Sequence, residues 1–241
     1  MRHVEIALSS SGRQGIEQRL TGRFYTPFRI AEQIAAEATA VVARPSIVGD
    51  PFCGDGRLIV AWLQAQARLG KDALKNLRRI VLWDYDTEAV GLARTRVCAE
   101  LDRLWPRHRC DVDAQGGDTF EKATTLLGQI DVVLTNPPWE LLKPDSRDEI
   151  SDGEEYRDHL KRYADRLSRM YPGASSAKGK ALTGYGVNLA RAGAIAALML
   201  AARDGFVGIV LPSSIFADQA STSFRREFFG RMKVERIDWF P

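Results

Sequence analysis

The sequence predicts an α/β protein built on a doubly wound, mostly parallel sheet. Three observations predict it. Short apolar runs alternate with segments of helical period along most of the chain. With 241 residues, 45% of them hydrophobic, the chain can bury one sizeable core and reads as one domain. Glycine, proline and acidic residues follow the apolar runs, at the strand ends where open α/β sheets hold ligands.

The first 26 residues are polar, and residues 1–21 are expected to form a flexible arm ahead of a domain over 22–241. Pro27–Ala43 reads as a helix, with Ile30, Ile34, Ala38 and Val41 on one face and Pro45 beyond its end. Ser46–Phe52 is a strand. Gly56–Leu69 is a helix that buries Ile59, Val60 and Leu63 and stops at Gly70. Ile80–Trp83 is a strand ending in Asp84-Tyr85-Asp86. In Thr87–Trp105, Val90, Ala93, Val97, Leu101 and Leu104 step by three or four, and Pro106 ends the helix. Asp111–Gln115 is a third strand, followed by a loop at Gly116–Phe120. Ile130–Thr135 is a buried strand.

The pattern then breaks. Residues 140–185 form a polar insert without a clean strand, and Arg157–Lys180 carries seven Lys/Arg against two Asp/Glu. A solvated helical face is the ordinary meaning of such a run. Val187–Arg203 follows as an apolar helix capped by Gly205, Phe206–Leu211 as a strand, Ser221–Arg231 as a helix and Val234–Phe240 as a last strand.

Composition excludes several classes. Net charge is +3 and pI about 8.8, so any nucleic-acid contact must be local. Cys53, Cys98 and Cys110 lack CxxC spacing and the three histidines are scattered, so no metal site is implied. There is no signal peptide and no apolar run of about eighteen residues, which points to a cytoplasmic protein without membrane contact.

Two segments carry chemistry. Asp50-Pro51-Phe52-Cys53-Gly54-Asp55-Gly56 joins the first strand of the domain to its helix. Its glycines let the backbone turn tightly against a ligand. It has neither a P-loop Lys-Ser/Thr nor the three glycines of a dinucleotide fingerprint. Its acids, Asp50 and Asp55, suit a ligand with an ammonium or sulfonium group. Asp84 is placed to accept hydrogen bonds from a ribose diol. Tyr85 can pack on an adenine ring, and Asp118, Thr119 and Phe120 can meet its amino edge and face. The second segment, Asn136-Pro137-Pro138-Trp139, closes a buried strand with a side-chain amide, two prolines and a large aromatic. That set suits gripping a flat ring bearing an exocyclic amine.

The first segment looks like the cofactor motif of S-adenosylmethionine-dependent methyltransferases. With Asn-Pro-Pro-Trp downstream, the chain resembles the amino-methylating DNA methyltransferases, the N6-adenine and N4-cytosine group, over roughly residues 22–240. Phe24-Tyr25-Thr26-Pro27 matches the motif that packs over the methionine end of the cofactor in that group. The resemblance implies a Rossmann-like sheet of the class I methyltransferase type and S-adenosylmethionine as cofactor. It implies contacts to it from Phe24, Tyr25, Thr26, Pro27, Asp50, Pro51, Phe52, Cys53, Gly54, Gly56, Asp84, Tyr85, Asp118, Thr119 and Phe120. It makes double-stranded DNA the substrate, with the target base flipped out, most readily adenine at N6. Asn136 would accept one hydrogen of the target amine, and the Pro137 carbonyl, as the resemblance implies, the other. Pro137 biases Asn136 to an extended backbone, and both prolines stiffen the turn. Trp139 would stack on the base. Ser213 and Ser214 read as pocket lining and Asn188 as a residue lining the site. Lys178 and Lys180 are candidates for phosphate.

Family catalytic domains finish their sheet with a further strand and continue into a recognition region. Neither follows Val234–Phe240, so this chain is expected to lack its last strand. It is also expected to rely on a recognition region or partner chain beyond Pro241, in a restriction–modification or phage-defence setting. Two rivals stay open. One is an RNA guanine-N2 or protein-glutamine methyltransferase. The other is a non-catalytic cofactor-binding subunit.

Overall fold

The computed structural model describes residues 2–9, 26–70, 72–142, 153–175 and 187–240. Its strands are β1 (Arg2–Ser9), β2 (Ile47–Asp50), β3 (Arg79–Asp84), β4 (Asp111–Gly116), β5 (Ile130–Thr135), β6 (Leu141–Leu142), β7 (Val187–Asn188), β8 (Ala201–Pro212) and β9 (Met232–Phe240). β6 and β7 form a separate antiparallel pair. The other seven make one sheet in the order β4-β3-β2-β5-β8-β1-β9, every pairing parallel. The helices are α1 (Phe28–Val41), α2 (Arg57–Ala67), α3 (Thr87–Leu104), α4 (Thr119–Lys122), α5 (Gly153–Met170), α6 (Leu189–Leu200), α7 (Ser214–Ala217) and α8 (Thr222–Gly230). This is the Rossmann-like, class I methyltransferase type of sheet that the sequence predicts.

Parallel strands are buried on both faces, and their sequences show it. Ile80 and Leu82 of β3 join Ile34, Trp62 and Val97 beneath α1, α2 and α3. Val81 and Trp83, one residue out of phase, join Ile195, Leu198, Phe224 and Leu167 beneath α6, α8 and α5. Each such side chain contributes about 1.5–3 kcal/mol on burial. From β2 the chain builds outward through β3 to β4, then returns to the other side of β2 with β5. The gap between the turns after β2 and β5 is therefore the topological switch point, where open α/β sheets take ligands.

Four expectations need correction. Residues 2–9, expected within a flexible arm, form β1, which lies between β8 and β9 and hydrogen-bonds to both. Val4-Glu5-Ile6-Ala7-Leu8 carries the two-residue alternation of a strand, but its partners lie some two hundred residues away. The apolar helix ends at Leu200, not Arg203. Gly205 is no helix cap: it sits inside β8, where a Cβ would come 2.8 Å from the Asp131 carbonyl oxygen. The loop expected over Gly116–Phe120 instead starts a short helix, because Asp118 caps the amides of Phe120 and Glu121. The insert contains strands β6 and α5, and α5 is no wholly solvated face. Ala164 and Leu167 are buried in it, as is Tyr171 just beyond.

Candidate active site

The turn after β2 is built around its own glycines. Gly56 adopts φ +81 at the start of α2, and a Cβ there would sit 3.0 Å from Cα of Ala93 on α3. Only glycine lets α2 start that close to α3. Gly54 donates its amide to Asp84 Oδ2 at 2.8 Å, which ties the turn to the end of β3. Asp84 also accepts from the Asp86 amide, and burial holds its carboxyl above the usual range. Asp86, in turn, caps α3 through the amides of Glu88 and Ala89.

Asp50 ends β2 with its side chain fully enclosed, 1% exposed. One oxygen accepts the Phe52 amide at 3.1 Å. The other has no hydrogen bond of good geometry, nor has the neighbouring Thr135 hydroxyl on β5. Burial pushes the Asp50 carboxyl up to about 8; the Thr135 hydroxyl and Phe52 amide pull it down, while Asp84 and Asp55 raise it further. Cys53 is buried and its thiol is pushed up by the same enclosure, so it is a packing residue.

Asp55 does not serve the site as expected. Arg57 grips it with both forks, at 2.7 Å from Nη2 to Oδ2 and 3.0 Å from Nε to Oδ1. Arg96 of α3 reaches it at 2.5 Å. Burial lifts this carboxyl, but the two guanidinium groups outweigh it and hold it below the ordinary value. Asp55 is thus a clamp between α2 and α3.

The third strand end is joined by the insert. Phe120 is buried, its ring 5.2 Å from Phe52 and 5.5 Å from Tyr171. Thr119 is buried beside it. Asp118 Oδ1 caps α4 and also accepts the Tyr163 hydroxyl at 3.2 Å, while Arg166 meets Oδ2 at 3.1 Å. Tyr171 donates to the Phe120 carbonyl at 2.6 Å. The insert therefore stands against the wall expected to meet adenine. Tyr85, by contrast, is 82% exposed at the end of β3.

Asn136 follows β5 directly, one strand from the cofactor turn. The Trp139 indole donates to Asn136 Oδ1 at 3.1 Å. An indole N–H can only donate, so the atom facing it must be the amide oxygen. The amide nitrogen then points the other way and donates to Thr26 Oγ1 at 3.2 Å. Pro137 is buried against Gly193 of α6, Pro138 is half-buried, and Trp139 packs against the cores on both faces of the sheet. The Glu140 carbonyl accepts the Leu189 amide at 2.9 Å, which seats α6 behind the turn.

Thr26 and Pro27 lie where the arm motif meets this turn; Phe24 and Tyr25 fall outside the described residues, as do Lys178 and Lys180. Pro51 and Phe52 line the turn after β2. Asn188 is the N-cap of α6, bonded to the Arg191 amide at 3.0 Å. Ser213 and Ser214 begin α7. Arg57, Gly193 and Thr135 matter to the site and escaped the sequence reading. Gly193 left a signal, since a glycine inside an alanine-rich helix costs stability and needs a packing reason.

Residues 12–169 match the family described as N-6 DNA methylase. The chain belongs to the N-6 DNA methylase family. Methylases of this family take their methyl group from S-adenosylmethionine. No curated protein matches the chain. Three solved structures share the fold. One is provisionally assigned as a class I S-adenosylmethionine-dependent methyltransferase from Listeria monocytogenes, with 13% identity, TM-score 0.53 and 90% of this chain covered. Another is a DrdV–DNA complex, with 20% identity, TM-score 0.51 and 85% covered. The third is a modification subunit provisionally assigned to a type I restriction enzyme of Vibrio vulnificus YJ016, with 16% identity, TM-score 0.52 and 86% covered. The chain spans 53%, 22% and 38% of their respective lengths.

The residues fit the family's cofactor on one structural point. The enclosed Asp50 oxygen, without a hydrogen bond of good geometry and with only the Thr135 hydroxyl near it, stands at the switch point, beside a turn whose glycines leave the backbone bare. A ligand with an ammonium and a sulfonium group would compensate that carboxylate. Among the described residues, no cluster of His, Cys, Asp or Glu could hold a metal, and no helix is long and apolar enough to cross a membrane.

Proposed function

We propose that this chain is the catalytic domain of a DNA amino-methyltransferase acting on adenine N6. The carrying observation is the placing of Asn136-Pro137-Pro138-Trp139 at the end of β5, beside the Asp50–Gly56 turn at the end of β2, in a member of the N-6 DNA methylase family. Bound S-adenosylmethionine supplies an activated methyl group on a sulfonium, open to in-line displacement. Asp50, Gly54, Gly56 and Asp84 would hold it, with Thr26, Pro27, Pro51, Phe52 and Cys53 around them. Phe24, Tyr25, Tyr85, Asp118, Thr119 and Phe120 complete the proposed set.

The chain's task is to prepare the nucleophile. An exocyclic amine is a poor one, because its lone pair is delocalised into the ring. Asn136 Oδ1 and the Pro137 carbonyl accept its two hydrogens and turn its lone pair toward the methyl group. The amide oxygen can accept from the Trp139 indole and from the amine together, since it has two lone pairs. The dipoles are fixed in advance by Trp139, Thr26 and two prolines, which is the preorganisation catalysis needs. Trp139 offers a flat surface to a flipped base; base–aromatic stacking contributes about 1–3 kcal/mol.

We propose further that sequence selection comes from a recognition region or partner chain outside these residues, in the cytoplasm. The support is that the chain spans only 53%, 22% and 38% of the solved structures of like fold. The test is to express the gene with and without Asn136→Ala, digest cellular DNA and quantify methylated nucleosides by mass spectrometry. N6-methyladenine should appear and be lost in the variant. N4-methylcytosine in its place would change the base. Methyl groups found only in RNA or protein, or cofactor binding without turnover in the intact protein, would overturn the proposal.

A further inference from the structure

We propose that Thr26 is a positioning residue for methyl transfer, holding the Asn136 side chain in its acceptor orientation. The inference rests on the amino-methyltransferase reading and adds a role that differs from cofactor contact. It starts from an asymmetry of the Asn136 amide. If the group rotated by half a turn, its NH2 would face the Trp139 indole N–H, and its oxygen would no longer face the amine. Trp139 disfavours that state by offering a donor where only an acceptor fits. Thr26 serves the selected state from the other side: its hydroxyl oxygen accepts from the NH2 and pins that end of the amide. Trp139 selects the orientation, and the Thr26 hydroxyl anchors the selected amide at its far end.

Thr26 is itself immobilised. It is 4% exposed, and its carbonyl accepts from Arg57 Nη1 at 2.7 Å. That guanidinium is held at its other edge by Asp55, which Arg96 also grips. Pro27, next in the chain, caps α1 by accepting the amides of Ile30 and Ala31. The position of Asn136 is thus referred through Thr26 and Arg57 to the cofactor turn that ends in Gly56. Donor and acceptor sites are set on one frame, and a shift of the turn is transmitted to the amide that holds the target. Methyl transfer forms one N–C bond, breaks one S–C bond with its electron pair left on sulfur, and frees one proton from the amine. Thr26 takes no part in those changes.

The experiment compares Thr26→Val, which keeps the shape and removes the hydroxyl, with Thr26→Ser, which keeps the hydroxyl. In the intact protein, Thr26→Val should lower kcat at saturating cofactor by roughly 10- to 100-fold, the scale of a small misplacement of a reacting group. Thr26→Ser should restore kcat to within about threefold, as expected when the bond is kept. If Thr26 is instead only a cofactor contact, Thr26→Val will raise the Kd for S-adenosylmethionine and leave kcat at saturation unchanged, which overturns the proposal. A readout independent of activity uses nitrogen-15-labelled chain. The Asn136 side-chain NH2 and the Trp139 indole N–H, assigned with Asn136→Ala and Trp139→Phe, should both shift in Thr26→Val and stay in Thr26→Ser. Should Thr26→Val fail to fold, the native protein still decides: Asn136 NH2 protons that exchange with solvent as fast as those of an exposed asparagine contradict the bond. If the native protein methylates no substrate, the functional reading fails while the spectra still report on the amide.

Discussion

Gly193→Ala tests how tightly the catalytic turn is pressed against α6. A Cβ at Gly193 would sit 2.3 Å from Pro137 Cβ, 3.2 Å from its Cγ and 3.1 Å from Phe52 Cε2. Carbon atoms rest at about 3.5–4.0 Å, so helix and turn must part by more than about 1 Å. Overpacking of this kind costs about 1–3 kcal/mol. At about 2 kcal/mol, the melting temperature of a chain this size should fall by roughly 4–8 °C. Pro137 carries the proposed second acceptor, so turnover should fall by about 100-fold, the effect of a misplacement near 1 Å. Thermal unfolding by circular dichroism and methylation by the intact protein are the two assays. The sign makes the test sharp. In a helix that touched nothing, alanine would stabilise by about 1 kcal/mol over glycine. A melting temperature that stays level or rises would refute the close seating of Pro137 and the argument built on it.

Other perturbations follow from the same contacts. The folded pKa of Asp50 is raised to about 8 from an ordinary carboxylate value, so its contribution favours the folded protein below about pH 4 and is lost as pH climbs toward 8. Asp50→Asn should flatten the fall in stability between pH 5 and 8 in chemical denaturation; an unchanged slope would show that Asp50 is ionised throughout. Asp55 has the opposite sign: its pKa is held down, so its support is present above the ordinary carboxylate range and is lost in acid. Asp55→Ala strands Arg57 and Arg96, both part-exposed, and should cost about 2 kcal/mol at neutral pH; a loss below about 0.5 kcal/mol would mean solvent replaces the clamp. Tyr171→Phe removes a buried 2.6 Å bond to the Phe120 carbonyl and should cost about 1–2 kcal/mol, with faster proteolytic cleavage within α5. Native-like cleavage would show that the insert is held by other contacts.

Most of the sheet was legible because parallel strands are short, apolar and bounded by turns. Ile130–Thr135 has the same ends in sequence and structure. The switch point followed from the order of the motifs, and with it the nearness of Asp50 and Asn136. What stayed hidden depends on partners distant in sequence. Arg57 looks like any first-turn arginine until Asp55 and Thr26 are found on either side of it. The place of Asp118 after β4 is legible from the order of elements. Its bonds to Tyr163 and Arg166 are not, because they come from an insert whose charge suggests solvent. A glycine after an apolar helix usually caps it, but at Gly205 the strand has already begun, and the glycine serves a close approach of two strands.

The place of β1 has a consequence for how the molecule is made. Residues 2–9 are made some two hundred residues ahead of their partners, for in the main sheet they hydrogen-bond to 206–212 and 232–240. β8 and β9 are not paired with each other, so neither can close the sheet without β1 between them. β1 must wait for β8 and β9. Until then β8 presents an open edge, a place for mispairing or chaperone capture, and closing so long a loop slows the final step. The pairing of β2 through β5 uses only residues up to β5, but the face bearing Val81 and Trp83 stays uncovered until α5, α6 and α8 are made.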